Sequence, residues 1–174
     1  MSKDVEIIRE LQPKSRIPDS AQKFKGEPMA EYFNLNNQRR GKVGEKAVFG
    51  HFMSSGAEVK EVNDGCDLLV EQASGTIKSE IKTSFVRDNG GVWFNQVRPL
   101  SDKWNCLHLV AVAPTGLVIV EAARSKFSHY IGKDLAGLSV KQGHVGTKQL
   151  LQVTGKLNVL MREFDVLYDG RQKG

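Results

Sequence analysis

Residues 44–83 read GEKAVFGHFMSSGAEVKEVNDGCDLLVEQASGTIKSEIKT, and the second half of this stretch decides the fold. Leu68-Leu69-Val70 is a short apolar run directly after Asp67. Ile77 to Lys82 alternates apolar and polar residues, the period of a half-buried strand. Ala73, Ser74 and Gly75 lie between the two runs and predict a hairpin turn. A turn at Ala73-Ser74 sets Asp67 opposite Glu80, and a turn at Ser74-Gly75 sets it opposite Lys82. Opposed residues of an antiparallel pair share a side, and so do alternate residues of one strand. Either two-residue turn therefore gathers Asp67, Glu80 and Lys82 on one face and sends Ile81 to the other. A three-residue loop would break the arrangement.

Two carboxylates and an ammonium on one surface are costly unless something binds there. Oxygen ligands of this kind suit Mg²⁺, which takes one or two carboxylates and otherwise keeps water or substrate phosphate. A metal so held lowers the pKa of a bound water and neutralises charge on a phosphoryl oxygen. A lysine beside it can hold that water or the attacked phosphate.

The set Asp67, then Glu80-x-Lys82, resembles the active-site motif of the PD-(D/E)xK nucleases, the restriction-endonuclease-like fold. Arg40-Gly41-x-x-Gly44-Glu45, opening a helix upstream, is similar to the same family, in which a helix glutamate adds to the metal site. The resemblance covers roughly residues 40–125. Cys66 stands where the family has proline, a position that carries no catalytic atom. The resemblance implies that Asp67, Glu80 and Glu45 hold Mg²⁺, with Mn²⁺ as the alternative ion, and that Lys82 orients the attacking water. It also implies double-stranded DNA as substrate, a 5′-phosphate product and a homodimer, since one site cuts one strand. The expected activity is that of a small type II restriction enzyme. Two alternatives stand beside it: a Holliday-junction resolvase-like nuclease, whose order of motifs is the same in a shorter chain, and a DNA-binding module that keeps the fold without chemistry.

Working outward, Val43 to Ser54 predicts a helix. Val43, Ala47, Phe52 and Met53 form its buried stripe, Phe49 widens it, and Gly56 ends it. Glu45, one turn in, has two readings: a first-turn acid favoured by the helix dipole, or a metal ligand. Ala57 to Val62, Val92 to Val97, Leu107 to Ala113 and Leu117 to Val120 read as further strands. The third of these is apolar enough to be covered on both faces. The expectation is an α/β fold with a central mixed sheet of about five strands flanked by helices. Gln96 is either an outward strand residue or a polar group that helps hold the attacked phosphate.

At the N-terminus, residues 3–12 predict a short helix, and Pro13 to Pro28 a polar arm that is either solvated or in contact with phosphates. Ser101 or Asp102 is expected to cap a helical turn at Trp104. Residues 126–174 form a C-terminal part. Within it, Ser139 to Gln149 is basic, glycine-hinged and free of acid, and reads as a loop. Lys141, Gln142, His144 and Lys148 are its candidate DNA contacts, being types that reach base edges or phosphates. The other reading of that segment is a mobile surface loop.

The 174 residues suit one domain with a real core. A formal net charge of +5 tilts the chain toward polyanions without naming one. Its two cysteines, Cys66 and Cys106, have no metal-ligand spacing and are expected to be small buried residues. His108 interrupts an apolar run and is expected to be a satisfied core histidine. No basic-then-apolar signal opens the chain and no apolar run spans a bilayer, so a cytoplasmic protein without membrane contact is expected. Nucleophile-elbow and phosphate-loop motifs are absent from the sequence.

Overall fold

The computed structural model describes residues 3–5, 17–100, 103–135 and 137–172. Residues 3–5 are helical, and the remainder of the helix expected over 3–12 lies outside the described residues. Ser101 and Asp102, the expected caps, also lie outside them; Trp104 itself is fully buried and is not helical.

In chain order the elements are two 3-10 segments (Asp19–Phe24, Pro28–Asn34), α1 (Asn37–Ser54), β1 (Glu58–Glu61), β2 (Leu68–Gln72), β3 (Gly75–Phe85), β4 (Gly91–Val97), β5 (Cys106–Ala113), β6 (Gly116–Ala123), α2 (Arg124–Phe127), a third 3-10 segment (Ser128–Tyr130), β7 (Asp134–Leu135), β8 (Leu138–Val145), β9 (Lys148–Lys156), α3 (Leu157–Glu163) and β10 (Asp165–Asp169). Among the described residues they build two sheets. The central one has six strands in the order β1-β2-β3-β5-β6-β10, and the second has four in the order β4-β9-β8-β7. Strands β3 and β5 run parallel and the other neighbours in the central sheet antiparallel, so the fold is α/β with a mixed central sheet. No helix among the described residues is long and apolar enough to cross a membrane.

Every residue of β5 is buried, as its continuous apolar run requires. One face of the central sheet packs on α1 through Val48, Phe52, Leu68, Val70, Ile81, Val110 and Ile119. The opposite face packs on the second sheet: Leu107, Leu109, Val118 and Val120 meet Val92, Phe94, Val140 and Val153. The strand at 92–97 thus belongs to the second layer. The chain leaves β3, crosses to that layer as β4 and returns as β5.

Three local expectations are corrected. The inward stripe of α1 is Gly44, Val48 and Phe52, while Met53 is 52% exposed. A helix rotated by one position buries Val48 instead, because the small Gly44 lets α1 lie close against β3. The expected arm is anchored over residues 17–28: Ala21 and Phe24 are fully buried beside Phe33 and Val112, while Asp19, Lys23 and Lys25 stay exposed. Burying one phenylalanine contributes about 1.5–3 kcal/mol, and Asp88 fastens the segment further by accepting the Gln22 and Lys23 amides at 3.0 and 2.9 Å. Residues 139–149 are not a loop but most of the β8–β9 hairpin, closed by a turn at Gly146, where φ is +62°. The signal there is thin because only Leu138 and Val140 of β8 are buried in the core, while Gln142 and His144, alternate with Val140, are polar and exposed.

Candidate active site

The β2–β3 hairpin is the two-residue form. Leu68 pairs with Ser79 and Gln72 with Gly75, leaving Ala73 and Ser74 as the turn. Continuing the register by one residue sets Asp67 opposite Glu80. Strand β2 stops there, but β3 runs on to Phe85, paired beyond Ser79 only with β5. The free edge is capped by the aspartate: Ile81 donates its backbone N–H to Asp67 Oδ2 at 2.7 Å, and Asp67 donates its own N–H to the Ser79 carbonyl at 2.8 Å. Asp67 therefore holds a fixed position where the β2 ladder ends.

Glu80 and Lys82 share the face turned to the second sheet, and Ile81 packs toward α1. Glu80 is 1% exposed, an unusual state for a carboxylate. Its Oε2 lies 3.4 Å from Arg98 Nε without a hydrogen bond, and no group among the described residues hydrogen-bonds that oxygen. Burial first, and then the charge and hydrogen bonding of Asp67, push the Glu80 carboxyl up to about 8, while Lys82 and Arg98 pull the other way. The two acids thus compete for a cation or share a proton.

A cleft of about 510 Å³ opens over the free edge of β3. Asp67 and Lys82 form its floor, Glu45 and Arg40 come from α1, and Asn95 and Gln96 from β4. Glu45 is ion-paired with Lys42 at 2.8 Å. Gln96 has φ +57°, the left-handed region, which costs a non-glycine residue on the order of 1 kcal/mol or more. It sits where the β4–β9 register slips between Phe94 and Val97. This bulge swings Asn95 and Gln96 out of the ladder, as bulges beside sites do.

Lys141, Gln142 and His144 are exposed on β8 and line a neighbouring groove of about 420 Å³ that shares Asn95 and Gln96 with the cleft. Lys148 is exposed at the start of β9, opposite Val145 and outside that groove. Apart from Glu80, the residues singled out in the sequence thus fall into one cleft, one adjoining groove and one hairpin tip. Glu80 lies beneath the cleft and does not line it.

Two arginines of the cleft region have contacts that the sequence does not show. Arg98 needs the chain to return beside β3 before it can meet Glu80. Arg40 lies in the quoted helix motif, but its role appears only in three dimensions. It donates to the Tyr32 and Phe33 carbonyls at 3.3 and 3.1 Å and stacks over the Tyr32 ring at 5.3 Å. Its guanidinium thereby pins the start of α1 to the preceding 3-10 segment.

No family model matches the chain, and no curated protein matches it. Among solved structures, a bacterial homing endonuclease, I-Ssp6803I, superposes with a TM-score of 0.45 and 15% sequence identity, over 55% of this chain and 74% of that one. That identity is too low, and the superposition too loose, to assign a family.

Proposed function

We propose that this chain is a metal-dependent endonuclease of the PD-(D/E)xK type that hydrolyses phosphodiester bonds in double-stranded DNA at specific sites, as small type II restriction enzymes do. The observation that carries the reading is the buried Glu80 carboxylate, with one oxygen free of hydrogen bonds, directly beside Asp67 and on the face of Lys82.

The donor set fits a hard divalent cation. Oxygen atoms of Asp67 and Glu80 would hold Mg²⁺ or Mn²⁺, with Glu45 able to support it from across the cleft. Such an ion supplies a water of lowered pKa and charge neutralisation at phosphorus. The remaining work belongs to the chain. Asp67, fixed by the Ile81 amide, sets the position of the carboxylate pair. Lys82 brings a compact ammonium to the same face, where it orients a water in line with the scissile bond and offsets charge on the pentacovalent phosphorus. Gln96, aimed into the cleft by its bulge, offers an amide to a phosphate oxygen. Lys141, Gln142 and His144 line a groove continuous with the cleft, a path for the duplex on either side of the cut. Cutting both strands at one locus requires two such sites, so a two-fold homodimer is part of the proposal.

The test is digestion of a large phage genome with the purified chain and Mg²⁺. Discrete fragments are expected. A smear would mean a nuclease without site specificity, and preference for a four-way junction over linear duplex would mean a resolving enzyme. Intact DNA of both kinds, with Mg²⁺ or Mn²⁺ present, would overturn the reading.

A further inference from the structure

Behind the cleft, on the α1 side of the central sheet, Cys106, His108 and Glu121 bring a thiol, an imidazole and a carboxylate together. Cys106 and His108 are two apart on β5, and Glu121 of β6 is paired directly opposite His108. Their donor atoms all lie within 4.8 Å of one another. His108 is fully buried and Cys106 is 6% exposed, while the Glu121 side chain is 23% exposed.

The arrangement is not that of a catalytic triad. A thiol activated by histidine needs the acid on the opposite ring nitrogen. Here Glu121 Oε2 and Cys106 Sγ both approach Nε2, at 2.8 and 3.8 Å. The other nitrogen, Nδ1, is hydrogen-bonded to Ser79 Oγ on β3. Ser79 and Glu121 already satisfy the imidazole, so the thiol is a third donor aimed at the same point. Three donors converging on one vertex, with the imidazole braced from behind, is how a metal site is built.

We propose that Cys106, His108 and Glu121 form a second divalent metal site, selective for a borderline-soft ion of the zinc class and separate from the carboxylates of the cleft. Bound tetrahedrally at ordinary Zn²⁺ distances, sulfur and nitrogen donors stand roughly 3.5 Å apart and oxygen and nitrogen donors roughly 3.3 Å. The 3.8 Å sulfur–nitrogen spacing closes slightly and the 2.8 Å oxygen–nitrogen spacing opens by about half an ångström. One thiolate and one carboxylate balance the charge of a divalent ion, so the filled site is neutral, which a buried location demands. The part-exposed flank of Glu121 leaves the fourth position to water. Thiolate and imidazole together select against Mg²⁺. On binding, the Cys106 thiol loses its proton to solvent, and the imidazole proton moves from Nε2 to Nδ1, where Ser79 Oγ accepts it. One proton is therefore released per ion. The site ties β3, β5 and β6 together one residue before Glu80.

The test uses the chain stripped with EDTA, kept reduced and titrated with Co²⁺ alone. One equivalent is expected to raise a thiolate-to-metal charge-transfer band with the strong visible absorption of four-coordinate cobalt. Zn²⁺ should displace it and Mg²⁺ should not. Cys106→Ser should abolish the band, and Glu121→Gln should weaken affinity by at least tenfold. Ser79→Ala should weaken it about 10–100-fold, the usual effect of removing a partner that orients a ligand. Asp67→Ala should leave the band unchanged, which places the signal outside the cleft. Absence of the band in the unaltered chain overturns the proposal, and that measurement needs no variant to fold. A band that persists in Cys106→Ser, or an affinity unmoved by Glu121→Gln, overturns it as well.

Discussion

Asp67 Oδ2 accepts the backbone N–H of Ile81 at 2.7 Å, so a side chain takes over the ladder at the residue where strand β2 ends. The bond fixes one carboxylate beside Glu80 and leaves the edge of β3 open over Lys82. On the proposed function, Asp67→Ala and Glu80→Ala each abolish Mg²⁺-dependent cleavage while duplex binding survives. Binding by Asp67→Ala should tighten, because repulsion between that cleft-lining carboxylate and phosphate is removed. Full cleavage by either variant would remove that residue from the metal site.

The buried Glu80 makes stability depend on pH. Its carboxyl ordinarily titrates near 4.5 and is pushed up to about 8 in the fold, by burial first and Asp67 second. Between those values the folded chain binds more protons than the unfolded one, so stability is full below the unfolded value and falls as pH rises through the folded one. In EDTA, Tm should drop from pH 5 to pH 8. Mg²⁺ should offset the drop by taking the proton's place, and bind more tightly as pH rises over the same window. Glu80→Gln should flatten the metal-free profile. An equal slope in that variant would assign the pH dependence to other groups.

Lys82→Gln separates a catalytic lysine from a lysine on a strand face. A surface change of this sort normally alters stability by about 0.5 kcal/mol or less. The variant should fold, bind duplex and lose single-turnover cleavage by a factor on the order of a hundred or more. Lys82→Arg should not restore it, because a planar fork does not place charge at the same point. Cleavage within a few-fold of the unaltered chain would make Lys82 structural.

The β8–β9 hairpin tests the path of the DNA. Replacing both Lys141 and Lys148 by alanine should weaken duplex binding and reduce the log–log salt slope by about 0.9 for each phosphate that is no longer neutralised. Fluorescence anisotropy at several salt concentrations gives the slope. If it does not move, the hairpin faces solvent in the complex.

Gly44 tests how α1 is seated. A Cβ there would collide with Thr83 Oγ1, whose hydroxyl is buried without a hydrogen-bond partner among the described residues. Alanine gains up to about 1 kcal/mol in helix propensity over glycine. Forcing an atom into a filled space costs typically about 1–3 kcal/mol, so Gly44→Ala should lower Tm. Adding Thr83→Ala should restore much of the loss by removing both the obstacle and the unsatisfied hydroxyl. Additive losses in the double variant would show that the collision is not the cause.

What the sequence determined by itself is local and periodic. The two-residue alternation around Ala73-Ser74 was enough to bring Asp67, Glu80 and Lys82 to one face, because side-chain direction along a strand follows from parity alone. The apolar run at 107–113 marked a central strand for the same kind of reason. Tertiary structure decided everything that depends on which strand pairs with which. The pattern of β4 does not tell that it leaves the central sheet for β9, nor that a bulge turns Gln96 into the cleft. Burial of Glu80, and with it the raised carboxyl, arises only when the second layer closes over β3. His108 reads as a core histidine in the sequence, and its buried, hydrogen-bonded state agrees with that. Cys106 shares its side of β5 by parity, but its proximity to Glu121 exists only through the β5–β6 register. Periodicity tells which way a side chain points; pairing tells what it meets there, and pairing is settled by burial summed over segments far apart in the chain.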